Sequence, residues 1–231
     1  MHKPALLILP GALGAASQFN ELAKLLSVNF TVYSMEYNGH GKNNREISSL
    51  SIELLSDEVL HYVIANQLQN CAIFGYSMGG YIALYLAAKH PKLLGKIMTL
   101  ATKFTWNPAI AETEVKFLNP LKTKEKVPAF ASYLHQLHGS NWEQLMNHTA
   151  SLMLQLGTMN ILTDALLKQV VNEVKITRGE FDKMVSQEET AHVAQSISNA
   201  QLEIFSQTPH PWEKVNPLLI ANTLEKFILN K

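Results

Sequence analysis

A serine between glycines, at residues 75–79 with the sequence GYSMG, restricts the fold of this chain more than any other feature. The apolar stretch 71–74 precedes it, and residues 81–89 have the composition of a helix. A G-x-S-x-G pattern between a strand and a helix predicts a tight turn that strains the serine backbone and exposes its hydroxyl. N–H groups at the start of the following helix can then receive an anion. Ser77 is therefore the candidate nucleophile.

Length and composition limit the class of protein. The chain has 231 residues, of which 47% are hydrophobic and 16% are charged, and this fits one α/β domain, 1–231, with a substantial core. The formal net charge is +0 and no basic stripe is present, so we expect neither nucleic acid nor a membrane as a partner. No apolar run is long enough to span a bilayer.

Two features of the sequence bear on its cellular location. The apolar run 5–9 resembles a weak signal peptide, but Pro10 and Gly11 interrupt it, so we interpret it as a buried strand and expect a cytoplasmic protein. Cys71 is the single cysteine, which excludes an internal disulfide. Its apolar surroundings favour a buried structural thiol over a reactive one.

The pattern of apolar residues alternates between strand and helix. We predict strands at 5–9, 30–37, 71–74, 95–101, 172–177 and 202–205, and helices at 18–26, 51–68, 81–89, 188–197 and 215–229. Such alternation predicts an α/β fold with a mainly parallel, doubly wound sheet.

The segment 102–159 departs from this alternation. It contains no convincing strand, and helical patterns at 106–118, 124–137 and 141–156 are interrupted by prolines and Gly139. We therefore predict a helical lid, or cap, inserted within the single domain at 102–159.

The candidate acid follows from chain order. A serine nucleophile needs a histidine and a carboxylate, and after an elbow of this kind the acid precedes the histidine along the chain. Asp57 precedes Ser77, and Asp164 lies at a predicted helix start, where it complements the helix dipole. Asp182 lies in the loop just past a predicted strand and is the candidate acid; Glu180 is the fallback.

The same order selects a base, because only His192 and His210 follow Asp182. His192 lies inside a predicted helix, as a surface or packing residue. His210 lies in a loop between the last strand and the last helix, and is therefore the candidate base. His40, in a loop between glycines, precedes the serine; we interpret it as an incidental turn residue, with a place at the pocket mouth as the alternative.

The glycine-rich loop 10–14 follows the first strand. Small residues there allow a backbone N–H to approach a substrate, so we assign the two oxyanion donors to the N–H groups of Ala12 and Met78. A simple strand-to-helix turn is the alternative interpretation of this loop.

Other chemistries find less support. The sequence has no G-x-x-x-x-G-K-[ST] motif and no G-x-G-x-x-G motif after a predicted strand, so it offers no obvious site for nucleotide phosphates. We expect no cofactor. His135, His138 and His148 could bind a metal, but no carboxylate or cysteine completes a ligand set. We therefore interpret them as solvated helix histidines and expect no metal.

Taken together, these motifs resemble the α/β-hydrolase fold superfamily, and within it the small bacterial carboxylesterases. The resemblance covers the loop 9–11, the loop 38–41, the elbow, the acid loop and the His210 loop, and it implies a Ser77–His210–Asp182 triad. The chain departs from the family in having Pro209 where glycine often precedes the histidine. Serine at the elbow also means that the haloalkane dehalogenases and epoxide hydrolases of this fold, which use aspartate, are not implied.

We therefore expect a serine hydrolase that forms an acyl-enzyme with a small carboxylic ester or related acyl compound. C–C bond hydrolysis or a lyase reaction on the same triad is one alternative. Its anionic substrates would usually need a positive residue in the pocket, and Arg45 and Arg178 are the arginine candidates. A non-catalytic ligand-binding receptor is another. Apolar candidates for the pocket wall are Leu13, Tyr76, Phe104, Trp106, Leu152, Met153 and Leu156.

Overall fold

A parallel sheet lies at the centre of the protein. The computed structural model describes residues 3–43 and 45–230, and within these six strands form one sheet, all of whose pairings are parallel. The strands are β1 (Ala5–Leu9), β2 (Thr31–Ser34), β3 (Ala72–Tyr76), β4 (Ile97–Leu100), β5 (Val174–Gly179) and β6 (Ala200–Phe205). The order β2-β1-β3-β4-β5-β6 confirms the predicted doubly wound α/β fold.

Helices cover both faces of this sheet. Ten are present in the described residues: α1 (Asn20–Leu26), α2 (Ile52–Ala65), α3 (Met78–Lys89), α4 (Pro108–Val115), α5 (Pro120–Lys126), α6 (Pro128–His138), α7 (Trp142–Thr158), α8 (Asp164–Leu167), α9 (Gln187–Ser196) and α10 (Pro217–Leu229). Successive side chains of β1 point to opposite faces, so Leu7 packs with α2 and α3, and Leu6 packs with α1 and α10. Two buried apolar layers result, and they explain why β1 and β3 are apolar without alternation.

The strand order reverses between β1 and β3, and this is where the candidate site lies. Leu9 of β1 is in register with Gly75 of β3, so the loop after β1 and the turn after β3 leave the sheet side by side. In open α/β sheets, ligands bind outside the carboxyl ends of the strands at such a switch point.

Five helices, α4 to α8, lie between β4 and β5, and no strand is described among them. The first four, α4 to α7, fall within the predicted lid segment 102–159. Asn107 and Asn119 cap α4 and α5, each with a proline at the first helical position, where the missing N–H costs nothing. The helical character predicted for this segment is therefore observed.

Several predicted boundaries were wrong. The pattern at 124–137 belongs to two helices, because Pro128 starts α6 after Val127, whose backbone is not helical. The strand predicted at 30–37 is shorter, at Thr31–Ser34, and the helix predicted to start at Asp164 is present but has only four residues. Strand β5 extends to Gly179, so the acid loop begins at Glu180.

The described residues contain no helix with the length and hydrophobicity that crossing a membrane requires.

Candidate active site

Ser77 occupies a strained turn between β3 and α3. Its φ of 51° and ψ of −118° lie in a region that side-chain-bearing residues rarely adopt, at a cost of about 1–3 kcal/mol. Two hydrogen bonds to the backbone of Ser77 hold this conformation: its N–H donates to the Leu100 carbonyl at 2.8 Å, and its carbonyl accepts from the Thr102 side-chain hydroxyl at 2.9 Å. The predicted elbow geometry is therefore present.

Glycines allow this turn to form because backbone segments approach closely around it. A Cβ built on Gly75 would lie 2.6 Å from atoms of Gly79 and Gly80, and one built on Gly79 would overlap the Leu9 carbonyl oxygen. Any side chain at these two positions would push α3 away from β1 or β3.

The acid and base candidates meet in a hydrogen bond. Nδ1 of His210 lies 2.8 Å from Oδ2 of Asp182, and the other carboxylate oxygen accepts the N–H groups of Met184 and Val185 at 2.8 and 2.9 Å. The Asp182 side chain is fully buried, whereas that of His210 is 19% exposed. With its proton on Nδ1, His210 presents an unprotonated Nε2.

Opposing effects set the charge of Asp182. Burial raises the pKa of its carboxyl. The hydrogen bond and charge of His210, together with the N–H groups of Val185 and Met184, lower the pKa by more than burial raises it, so that it lies below its ordinary value. The group therefore stays ionised at neutral pH.

Arg178 supports the acid loop and does not contribute a cation to the pocket. Its side chain is buried and donates to the carbonyls of Asp182 and Val185 at 2.7 and 3.0 Å. Glu180, the fallback acid, instead accepts from Ser206 and Gln207.

Two side-chain hydrogen bonds hold the loop that carries His210. Tyr76, the residue before Ser77, donates its hydroxyl to the His210 carbonyl at 2.5 Å, and Trp212 Nε1 donates to the Gln18 carbonyl at 2.8 Å. The side chain thus reaches the cavity despite Pro209, at the position where the family often has glycine.

One cavity of about 350 Å³ brings together Ser77, His210 and the proposed oxyanion residues Ala12 and Met78. Six of the seven predicted apolar residues line it, namely Leu13, Tyr76, Trp106, Leu152, Met153 and Leu156. Phe104 is not among the lining residues: it is buried in the core, and its N–H donates to Glu189 Oε2 at 3.0 Å.

The cavity wall also contains polar residues that sequence reasoning missed. Lys103 lines it, with Nζ 2.9 Å from the Met184 carbonyl and 3.6 Å from Glu189 Oε1. Gln18, Tyr133 and Glu213 line it as well and bond to one another at 2.8–3.0 Å. No motif identifies these residues, because they come from distant parts of the chain.

The predicted oxyanion loop, residues 10–14, forms a tight turn in which Gly14 N–H donates to the Gly11 carbonyl at 3.0 Å. Leu13, the third residue of this turn, has a φ of 54°. Such a φ is favourable for glycine and strained for leucine. Met78, which carries the other predicted donor, is the first residue of α3.

The prediction of solvated helix histidines was wrong for two of the three: His138 is fully buried, and Nε2 of His148 is buried without a hydrogen-bond partner in the part of the chain that the structure describes. His40 lies in a turn, as predicted, with its N–H donating to the Tyr37 carbonyl at 3.0 Å. It is also fully buried, and its ring lies edge-on to those of Tyr37 and His138. Burial lowers the pKa of His40 to about 4. His135 is exposed, as predicted. The described residues contain no cluster of three or more His, Cys, Asp or Glu that could hold a metal.

The remaining alternatives lie outside the cavity. His192 is exposed on α9, and its Nε2 lies 2.7 Å from Oδ1 of Asp164, at the start of α8. Cys71 is buried, and burial raises its pKa to about 12, as expected for a structural thiol.

Comparison with known proteins adds relatives with hydrolase names. "Putative carbamate hydrolase RutD" from Pseudomonas savastanoi pv. phaseolicola is 24% identical over 242 residues, covering 96% of this chain and 93% of that protein. The pimeloyl-[acyl-carrier protein] methyl ester esterase of Xylella fastidiosa is 32% identical over 101 residues, or 44% of this chain and 38% of that protein.

Structural comparison agrees with this result at the level of the fold. An esterase from Thermogutta terrifontis superposes with a TM-score of 0.79 at 16% identity, covering 99% of this chain and 90% of that one. The model of the alpha/beta hydrolase fold family matches residues 4–126, more than half of the sequence. The chain therefore belongs to the alpha/beta hydrolase fold family.

Proposed function

We propose that the protein is a serine hydrolase that cleaves small carboxylic esters or related acyl compounds through an acyl-enzyme. The observation that carries the proposal is the convergence of the strained Ser77 and the Asp182-bonded His210 on one largely apolar cavity. The curated relatives with hydrolase names support the same class of reaction.

In the proposed reaction, Ser77 Oγ attacks the carbonyl carbon of the substrate while Nε2 of His210 takes the hydroxyl proton. Asp182 remains ionised and stabilises the imidazolium through the 2.8 Å bond to Nδ1. The N–H groups of Ala12 and Met78 receive the oxyanion of the tetrahedral intermediate.

Collapse of that intermediate breaks the bond to the alcohol, which leaves with the proton from His210. The acyl group is then bound to Ser77 Oγ. Water attacks this ester with His210 again as the base, and the acid product leaves while Ser77 recovers its proton. Atoms and charges balance without a cofactor.

The helices α4 to α7 act in this proposal as a lid over Ser77. Leu118, Phe130, Leu152, Met153 and Leu156, all from this region, line the cavity. Because the wall is mostly apolar, we expect an uncharged acyl group of a few carbons to bind better than a charged one.

A carbamate is the second candidate substrate, because the relatives that match nearly the whole chain carry that name. The same nucleophile, base and oxyanion donors would act on a carbamate carbonyl. The alternative of C–C bond hydrolysis or a lyase reaction has less support, because Lys103 in the cavity wall and Arg178 beside the acid loop are already engaged by the protein.

The test compares labelling and turnover. We expect the wild type to react with a fluorophosphonate probe and to hydrolyse p-nitrophenyl acetate and butyrate, whereas Ser77→Ala and His210→Asn do neither at a comparable rate. His192→Asn is the matched control, because this exposed histidine also bonds a carboxylate. A wild type that neither labels nor turns over esters or aryl carbamates would contradict the proposal.

A further inference from the structure

His138 connects the lid to the oxyanion loop. It lies in the last turn of α6 and is fully buried. Its Nε2 is 3.0 Å from the Leu13 carbonyl oxygen, and its Nδ1 is 2.8 Å from the Gly41 nitrogen. One imidazole therefore contacts two loops at the carboxyl edge of the sheet.

The two contacts determine where the proton of the imidazole lies. The Gly41 N–H is only a donor, so Nδ1 must be the acceptor and carry no proton. Nε2 then carries the hydrogen and donates it to the Leu13 carbonyl. Burial lowers the pKa of His138, which is consistent with this neutral form.

The bond reaches the oxyanion loop at its strained residue. Leu13 has a φ of 54° and directly follows Ala12, the proposed donor. A strained residue keeps its conformation only where surrounding contacts hold it. Two contacts act here: the Gly14 N–H to Gly11 carbonyl bond closes the turn, and His138 fixes the carbonyl of Leu13.

We infer that His138 is a positioning residue for catalysis: by holding the Leu13 carbonyl it keeps the Ala12 N–H directed at the cavity. The inference rests on the proposed hydrolase function and deepens it. Because His138 belongs to α6, the inference links oxyanion stabilisation to the packing of the lid against the loop 10–14.

Two substitutions separate the contacts. In His138→Asn the amide oxygen replaces Nδ1 as the acceptor for Gly41, but the donor to Leu13 is lost. In His138→Gln the longer side chain returns a donor near the position of Nε2. His135→Gln is the control, because His135 is exposed one turn earlier on the same helix.

We expect His138→Asn to lower kcat for p-nitrophenyl butyrate about tenfold to a hundredfold with KM nearly unchanged, since an oxyanion contact acts mainly in the transition state. Affinity for a trifluoromethyl ketone with the same acyl chain should fall in parallel. His138→Gln should recover part of kcat, and His135→Gln should match the wild type. Rates are expressed per active site titrated with fluorophosphonate, so that unfolded protein does not count.

Wild-type kcat in His138→Asn, or a raised KM with unchanged kcat, would overturn the inference and leave the hydrolase proposal intact. Equal losses in the Asn and Gln variants, without weaker ketone binding, would show a merely structural role and overturn it as well. A wild type without acyl-transfer activity would contradict both the hydrolase proposal and the inference about His138.

Discussion

The carboxylate of Asp182 contacts His210 through one oxygen and the backbone of its own loop through the other. Oδ2 lies 2.8 Å from His210 Nδ1, while Oδ1 accepts two N–H groups. The carboxylate is thus fixed in orientation before any substrate binds, and the His210 tautomer follows from it. Because the two oxygens have different partners, the effect of replacing Asp182 by asparagine can be predicted.

Asp182→Asn should lower kcat by several orders of magnitude, on the order of 10⁴-fold, with a small effect on KM. The amide oxygen is expected to keep the two backbone N–H bonds, so that the NH₂ group faces His210. Nδ1 must then accept a hydrogen bond, which moves the proton to Nε2 and removes the base. Initial rates with p-nitrophenyl butyrate measure the loss.

The control for this substitution is Asp164→Asn, which removes the carboxylate of the exposed pair with His192. It should retain wild-type activity. Substantial activity in Asp182→Asn, with the fold intact by circular dichroism, would argue against the tautomer explanation.

Gly79→Ala should destabilise the protein by about 1–3 kcal/mol, because the added methyl group would overlap the Leu9 carbonyl oxygen and force α3 away from β1. The shift would also move Met78 and lower activity in the protein that remains folded. Urea denaturation at neutral pH measures the free energy of unfolding.

The control is Ser132→Ala on the exposed face of α6, which places an alanine in a helix without displacing a neighbour and should change stability by less than about 0.5 kcal/mol. If Gly79→Ala had the same free energy of unfolding as the wild type, α3 would be able to move away from β1 without loss of stability, which would contradict the prediction.

Local patterns and chain order predicted much of the molecule. Any turn like the one at Ser77 brings backbone segments close together, and glycines occupy the positions where this happens. The alternation of strand and helix in the sequence correctly predicted the parallel sheet. The candidates Asp182 and His210, selected by their order, lie in hydrogen-bonding contact.

Properties that depend on distant contacts were not predictable in the same way. His138 is buried because a loop 97 residues earlier in the chain packs against it. One signal was present: Ala131, Leu134 and His138 form the buried stripe of α6 at helical spacing. Phe104 was assigned to the pocket from hydrophobicity alone, which does not distinguish a cavity wall from the core.

Cys71 should not react with a maleimide or with Ellman's reagent in the native protein, because it is buried and its pKa is raised to about 12. Full reaction is expected after unfolding in guanidinium chloride. Labelling is followed by intact mass in both conditions. Rapid native labelling would contradict the assignment of a structural thiol, and Cys71→Ala should match the wild type in its rate with p-nitrophenyl butyrate.

Stability should fall as the pH decreases below about 6.5, because His40 is neutral in the folded protein, with a pKa lowered to about 4, and titrates at its ordinary value of 6.5 when unfolded. Between these values the unfolded state binds one more proton, so stability decreases with falling pH by up to about 1.4 kcal/mol per unit. His138, whose pKa burial also lowers, acts with the same sign. Above pH 6.5 both states are neutral and the contribution is complete.

His40→Asn tests this origin, since an amide does not titrate and can still donate to the Asn38 carbonyl that His40 Nδ1 contacts at 3.1 Å. Between about pH 7.5 and pH 5 the wild type should lose about 2 kcal/mol more unfolding free energy than the variant does. His135→Gln, at an exposed position, should follow the wild-type pH profile. Parallel profiles for the wild type and His40→Asn, measured by urea denaturation at each pH, would show that His40 takes up a proton without unfolding.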